Sequence, residues 1–243
     1  MRLSAILIAL LTQLCTAAGP VTQPAATPTD PALLARLSEI DARAGRIKSL
    51  SAKFDQQKFT ALLRKPLESS GTIRISGPIV RWDTAKPEES VLLIDQGHAR
   101  IYYPGQKTLE VYPLDKRLAD LAASPLPRLD VLRSRFSIEQ IPVMDVDKTA
   151  DSKRFLALRL TPKDPSLAEH VKQVRVLLDV SRACIMKAEV TDGDDDRTVL
   201  SFKDVQLNAE VGDLALVVPP GTAVTHPMEG LDGASPQSQG PSK

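Results

Sequence analysis

The spacing of hydrophobic residues changes period along the chain. Between Asp30 and Ala44, the residues Leu33, Leu34, Leu37, Ile40 and Ala44 recur at helical spacing. Asp30 is placed to cap that helix and Pro31 suits its first turn. After Gly45 the period shortens to two. Ile73 and Ile75 alternate with polar residues in Thr72–Ser76, and the same alternation recurs in Val80–Asp83 and Thr108–Tyr112. This predicts half-buried strands. They are separated by the turn signals Gly77-Pro78, Asp95-Gln96-Gly97 and Pro104-Gly105, which suit a positive or a fixed φ. Helical spacing returns at Leu118, Leu121 and Ala122, and again at Leu129, Leu132 and Arg133, around the breaks Pro125 and Pro127. One or two short amphipathic helices covering an open sheet are expected there. Strand patterns resume at Phe155–Leu160, with a brief helical excursion after Asp164-Pro165. Val174–Val180, Ile185–Val190 and Thr198–Val205 follow, the last pair joined by Asp192-Gly193-Asp194-Asp195-Asp196. Roughly ten strands and two or three helices give a mainly β (α+β) class with helices packed on the sheet.

The ends of the chain follow different rules. Arg2, the apolar run Ala5–Leu14 and the small residues Thr16-Ala17-Ala18-Gly19 have the layout of an export signal, so 1–18 is expected to be removed by cleavage near Ala18. The run is shorter than the ~20 apolar residues that span a bilayer. Cys15 raises the alternative of a lipid anchor, although Leu14 rather than a small residue precedes it. Residues 19–29, rich in Pro, Ala and Thr, read as a flexible linker, and 225–243, rich in Gly, Pro, Ser and Gln, as a disordered tail. The folded domain is expected over 30–224, and the exported chain is expected in the periplasm.

Composition removes several functions. With 31 Lys+Arg against 30 Asp+Glu, the chain lacks the basic excess that phosphate neutralisation requires, so no nucleic-acid partner is expected. Five Phe, three Tyr and one Trp are few for stacking bases or sugars. Two Cys and three His do not furnish a structural zinc site with a second shell. The Asp192–Asp196 run lacks the EF-hand pattern and reads as a polar hairpin turn. His98, His170 and His226 stand at no paired metal spacing. No GxSxG or SxxK accompanies the serines, and Glu88-Glu89 reads as exposed charge. Cys184, inside Ala183-Cys184-Ile185-Met186, reads as a buried, inert thiol. Neither an enzyme nor a cofactor is expected.

What remains is a set of ordered strings: SLSAKFDQQ (49–57), KPLESSGTIRI (65–75), RWD (81–83), PEESVLLIDQG (87–97), IYYPGQKTLEVYPL (101–114), EVTDGDDDRTVLSFKDVQLN (189–208) and VPPGTAV (218–224). In this order and spacing the chain resembles the LolA family of periplasmic lipoprotein carriers. The resemblance spans about Asp30 to Val224. It implies an unclosed antiparallel β-barrel of about eleven strands, with short helices forming a lid over an apolar cavity. It also implies a monomer that takes lipoprotein or other acylated cargo from an inner-membrane ABC-type release complex to an outer-membrane receptor. Such a carrier needs an apolar, adaptable pocket, because each buried CH₂ contributes about 0.8 kcal/mol. On this basis the cavity lining is expected to include Ile73, Ile75, Val80, Trp82 and Leu93, closed over by Leu118, Leu121, Leu129 and Leu132. In the cargo-free protein, Leu121 or Leu129 is expected to fill the volume later taken by acyl chains. The chain departs from the family at Gly77, where a basic residue often precedes the Pro, and at Asp213-Leu214-Ala215-Leu216, which lacks an aromatic. These departures leave open a different lipid or amphiphile, carried or sensed beside an exporter, and a non-catalytic periplasmic binding module.

Overall fold

The computed structural model describes residues 30–114, 126 and 129–227. It opens with helix α1, Pro31–Ala44, whose N-terminus is capped as its sequence predicts: the Asp30 carboxylate accepts from the Ala32 amide at 3.0 Å. The strands β1 (Ser49–Phe59), β2 (Leu67–Ser76), β3 (Ile79–Lys86), β4 (Ser90–Asp95), β5 (His98–Tyr103) and β6 (Thr108–Pro113) then run as an antiparallel meander. A short helix α2, Leu129–Arg135, leads directly into β7, Phe136–Ile141. Next come β8 (Phe155–Pro162), helix α3 (Pro165–His170), β9 (Val171–Asp179), β10 (Cys184–Asp192) and β11 (Arg197–Leu207). A final short strand β12, Ala223–Thr225, pairs in parallel with β6.

All twelve strands form one sheet in the order β12-β6-β5-β4-β3-β2-β1-β11-β10-β9-β8-β7. The sheet is unclosed, with β12 and β7 at its two edges, and it has one strand more than the eleven expected. Five of its strands lie outside the periodic runs read from the sequence: β1, β4 and β5, which overlap the strings that carry the family resemblance, and β7 and β12. In β7, Phe136, Ile138 and Ile141 are buried. β12 lies beyond the last recognisable alternation.

The inner face of the sheet carries two apolar clusters side by side. One is built on β1–β6 and β11: Leu50, Ala52, Phe54, Ile73, Ile75, Val80, Trp82, Leu92, Ile94, Ala99, Ile101, Tyr103 and Phe202. The other combines Leu33, Leu37, Ile40 and Ala44 of α1 with Phe136, Ile138, Leu156, Leu158, Leu160, Val176 and Leu178 of the opposite half. They meet where Leu200 pairs with Ala188, since Leu200 packs on the first cluster and Ala188 on the second. Burying that much apolar surface is the main favourable term for such a sheet. The covering differs, however, and α1 lies only on the second half.

The outer face is covered by chain rather than by helix. After β11 the segment 208–222 returns across β2 and β3 to reach β6 at the far edge. Arg74 on β2 donates to the carbonyls of Val211 (3.3 Å) and Asp213 (3.1 Å), and Arg81 on β3 donates to those of Leu214 and Ala215. Both arginines also bind Asp83, with Arg74 Nη2 at 2.9 Å from Oδ2 and Arg81 Nε at 2.9 Å from Oδ1. Burial alone raises the Asp83 carboxyl, but the hydrogen bonds from Arg81 and Arg74 outweigh it and hold the group below its ordinary value. On the other half, Ile141, Val146, Ala157 and Leu177 form a smaller outer cluster under the 142–154 loop.

Candidate functional site

The first inner-face cluster is the candidate site. Strand alternation sets its composition: Ile73 and Ile75 from β2, Val80 and Trp82 from β3, and Leu92 and Ile94 from β4 all point inward. Trp82 sits at its centre. The Phe54 ring meets it edge-on, with centroids 4.8 Å apart and planes at 65°, and Phe202 lies 5.9 Å away. Above these rings opens a cleft of about 40 Å³, floored by Phe54, Trp82, Leu92 and Ile101 and rimmed by Gln56, Ser69, Thr84, Glu88 and Ser90. An apolar floor with a polar rim suits one end of an amphiphile better than a polar substrate. A second cleft of about 20 Å³ lies under α1, lined by Leu37, Ile40, Leu132, Ile138 and Leu158 among others.

Four of the residues expected to line the cavity, Ile73, Ile75, Val80 and Trp82, are brought together in this cluster. Leu93 is not, and its expected place is corrected. Trp82 pairs with Leu92, and Leu93 pairs with Arg81 and Arg100, so Leu93 lies on the outer face with the strap-binding arginines. It is buried there all the same. Leu132 is also corrected, because it packs on the second cluster, next to α1, rather than over Trp82. Leu118 and Leu121 lie outside the described residues, as does the side chain of Leu129. Two leucines not singled out in the sequence, Leu114 and Leu126, do pack on the first cluster.

One polar group on this inner face also escaped sequence reasoning. Glu110 pairs with Ile101, so its side chain points inward, and it is almost fully buried. Its Oε2 accepts from the Tyr112 hydroxyl at 3.0 Å and from Tyr103 at 3.4 Å. The alternation of Glu110 with Tyr112 in the string 101–114 was the available signal. Cys184, at the far half, is fully buried, and burial followed by the nearby Asp179 charge pushes its thiol up to about 11. It is therefore held as the unreactive thiol form. The Asp192–Asp196 turn uses its first carboxylate to accept from the amides of Asp194 (3.1 Å) and Asp196 (2.9 Å), while Lys58 binds Asp196 and Lys172 binds Asp195. Among the described residues there is no group of three or more potential metal-ligating side chains.

An unclosed twelve-stranded sheet, antiparallel but for its last strand, with short helices packed on it is the architecture of a half-barrel. A family profile described as "Outer membrane lipoprotein carrier protein LolA" matches residues 45–215, and the chain belongs to that family. It is 25% identical over 167 residues to an outer-membrane lipoprotein carrier protein of Chromohalobacter salexigens, covering 68% of this chain and 73% of that one. Solved structures with similar backbones include an uncharacterized conserved protein of Thermus thermophilus, at TM-score 0.49 and 8% identity, covering 80% of this chain and 99% of that one. They also include lipoprotein LppX of Mycobacterium tuberculosis (0.44, 8%, covering 78% and 100%) and a LolA superfamily protein of Nitrosomonas europaea (0.38, 13%, covering 73% and 94%).

Proposed function

We propose that this protein is a non-enzymatic carrier that shields the acyl chains of lipoproteins against the Trp82 face and shuttles them from the inner to the outer membrane. The observation that carries this is the asymmetry of the inner face. The half under α1 is packed by helix and keeps only the smaller cleft, whereas the half over Trp82 is covered by the side chains of Leu114 and Leu126 and keeps the larger cleft with a polar rim. Family membership supports the same reading.

On this proposal residues 1–18 are an export signal cleaved near Ala18, 19–29 a linker, 30–224 the carrier domain and 225–243 a tail, and the protein works in the periplasm. Cargo arrives from an ABC-type release complex and leaves to an outer-membrane receptor. A cleft of about 40 Å³ is far smaller than an acyl chain, so loading has to displace Leu114 and Leu126. The exchange is close to balanced, because leucine and acyl carbons bury the same kind of surface at about 25 cal/mol per Å². Near-balance is what a carrier without ATP requires.

The test is uptake of a fluorescent acyl probe, read together with Trp82 emission. The native chain should bind the probe saturably and shift the emission of its single Trp. Val80→Glu, with a native far-UV spectrum, should lower affinity at least tenfold, since an unpaired carboxylate would sit within the apolar cluster that carries Trp82. Unchanged uptake in that variant would sink the site assignment. Mass spectrometry of material copurifying from the periplasm then tells a lipoprotein from another amphiphile.

A further inference from the structure

The β1–β2 hairpin tip is the most exposed apolar feature among the described residues. Leu62 is 90% exposed and its neighbour Leu63 is 42% exposed. Folded chains seldom hold two adjacent leucines in water at the end of a projecting loop without a partner for them. The surrounding sequence Lys58-Phe59-Thr60-Ala61-Leu62-Leu63-Arg64-Lys65 has three cations and no acidic residue. Lys58 is held by Asp196 at 3.2 Å. Arg64 and Lys65 are exposed and form no ion pair among the described residues.

The position of the tip matters as much as its chemistry. Ser70 pairs with Lys86, the last residue of β3. The hairpin continues past that level through the pairs Gln56–Ser69, Gln57–Glu68 and Lys58–Leu67. At ~3.3 Å per residue, the tip projects about 10 Å beyond the end of β3. Gln56 and Ser69, at the base of this projection, form part of the rim of the cleft over Trp82. The leucines therefore stand beside the mouth of that cleft. Glu88, Glu89 and the Asp192–Asp196 turn lie at the same end of the sheet, the turn flanking the base of the tip, where Phe59 pairs with Arg197 and Lys58 binds Asp196.

We propose that this hairpin is a membrane-contacting tip: Leu62 and Leu63 enter the headgroup region of an anionic bilayer, and Arg64 and Lys65 bind its phosphates. The occupant is a lipid surface because the patch pairs apolar side chains with flanking cations, the combination that interfacial binding uses. The proposal extends the carrier reading, since it places the cleft mouth against the surface from which acyl chains leave or to which they go. It can fail separately from that reading.

The experiment is cosedimentation of the full chain with vesicles of phosphatidylcholine alone and with about a third phosphatidylglycerol. Solution uptake of the fluorescent acyl probe is measured in parallel. The native chain should partition onto the anionic vesicles and weakly onto the neutral ones. Leu62→Ser with Leu63→Ser should lower the anionic partition about tenfold or more. Arg64→Gln with Lys65→Gln should remove most of the preference for anionic lipid. Both variants should take up the probe as the native chain does, which shows that they are folded. Absence of native partition onto either vesicle, or native-like partition of the double leucine variant, would overturn the proposal. So would equal native binding to neutral and anionic vesicles. Failure of the native chain to take up the probe, with tip-dependent vesicle binding intact, would instead overturn the carrier reading alone.

Discussion

At the scale of single residues, the outer face turns on one carboxylate. Asp83 receives Arg74 and Arg81, and the same two guanidinium groups grip four carbonyls of the strap that carries the chain to β12. Asp83 therefore fixes the orientation of the donors that fix the strap. Its folded-state carboxyl lies below the ordinary value of 3.8. The stabilisation is accordingly complete above that value, where both folded and unfolded chains are ionised. It is lost as pH falls through the folded value, because the unfolded chain takes up its proton first. Asp83→Asn keeps the shape and removes the charge. The variant should be less stable than the native chain at pH 7 by about 1–2 kcal/mol, and the gap should close below about pH 4. Denaturant titrations of both chains across that range measure it. Asp179, bound by Arg154 and Ser181, is lowered in the same direction. Acid destabilises both chains through Asp179, and the difference between them isolates Asp83. A gap that stayed constant down to pH 3 would mean that the carboxylate charge does not hold the strap.

At the scale of elements, much of the sheet was legible, and the misses have identifiable causes. Wherever one face is solvated or polar, alternation gives the inward set directly, as in Ile73, Ile75, Val80 and Trp82. β4 differs because Val91, Leu92, Leu93 and Ile94 are apolar without a break. The strap buries its outer face too, so no polar residue marks the parity. Only the register with β3, in which Trp82 faces Leu92, decides it. β7 was hidden by its neighbour, since the helical spacing of α2 runs straight into Phe136 without a turn signal. Leu126 sits between Pro125 and Pro127 and reads as a break, yet it packs on the site. Gly71 is the one glycine in β2, and its reason is legible only in three dimensions. The ladder between β2 and β3 shifts register there, and a Cβ on Gly71 would stand 2.0 Å from the Asp83 carbonyl oxygen. Because that oxygen is backbone, no rotamer change relieves the contact. Gly71→Ala should cost about 3 kcal/mol or more by forcing the two strands apart. Thermal unfolding reads this, and a shift of under a degree would show that the bulge accommodates a side chain.

At the scale of the whole molecule, the two inner clusters divide stability from binding. Ile40, on α1, is 1% exposed within the filled half. Leu126 is only partly buried and covers the half with the open cleft. The two clusters are built from separate sets of residues that meet at the Leu200–Ala188 pair, so substitutions away from that seam should act nearly independently. Ile40→Ala leaves a cavity under the helix and should cost about 3 kcal/mol of stability. Acyl-probe affinity should stay native, because nothing over Trp82 has changed. Leu126→Ser should cost about 1 kcal/mol or less, since this leucine is only partly buried in the native chain. Its effect on affinity follows from competition. If Leu126 occupies space that cargo takes, the free chain loses part of its closed-state preference, and the fraction ready to bind rises. Probe affinity should then increase several-fold while stability barely moves. Weaker uptake in Leu126→Ser would mean that this leucine holds cargo rather than yielding to it. Weaker uptake in Ile40→Ala would mean that the halves form one cavity and that α1, rather than Leu114 and Leu126, governs loading.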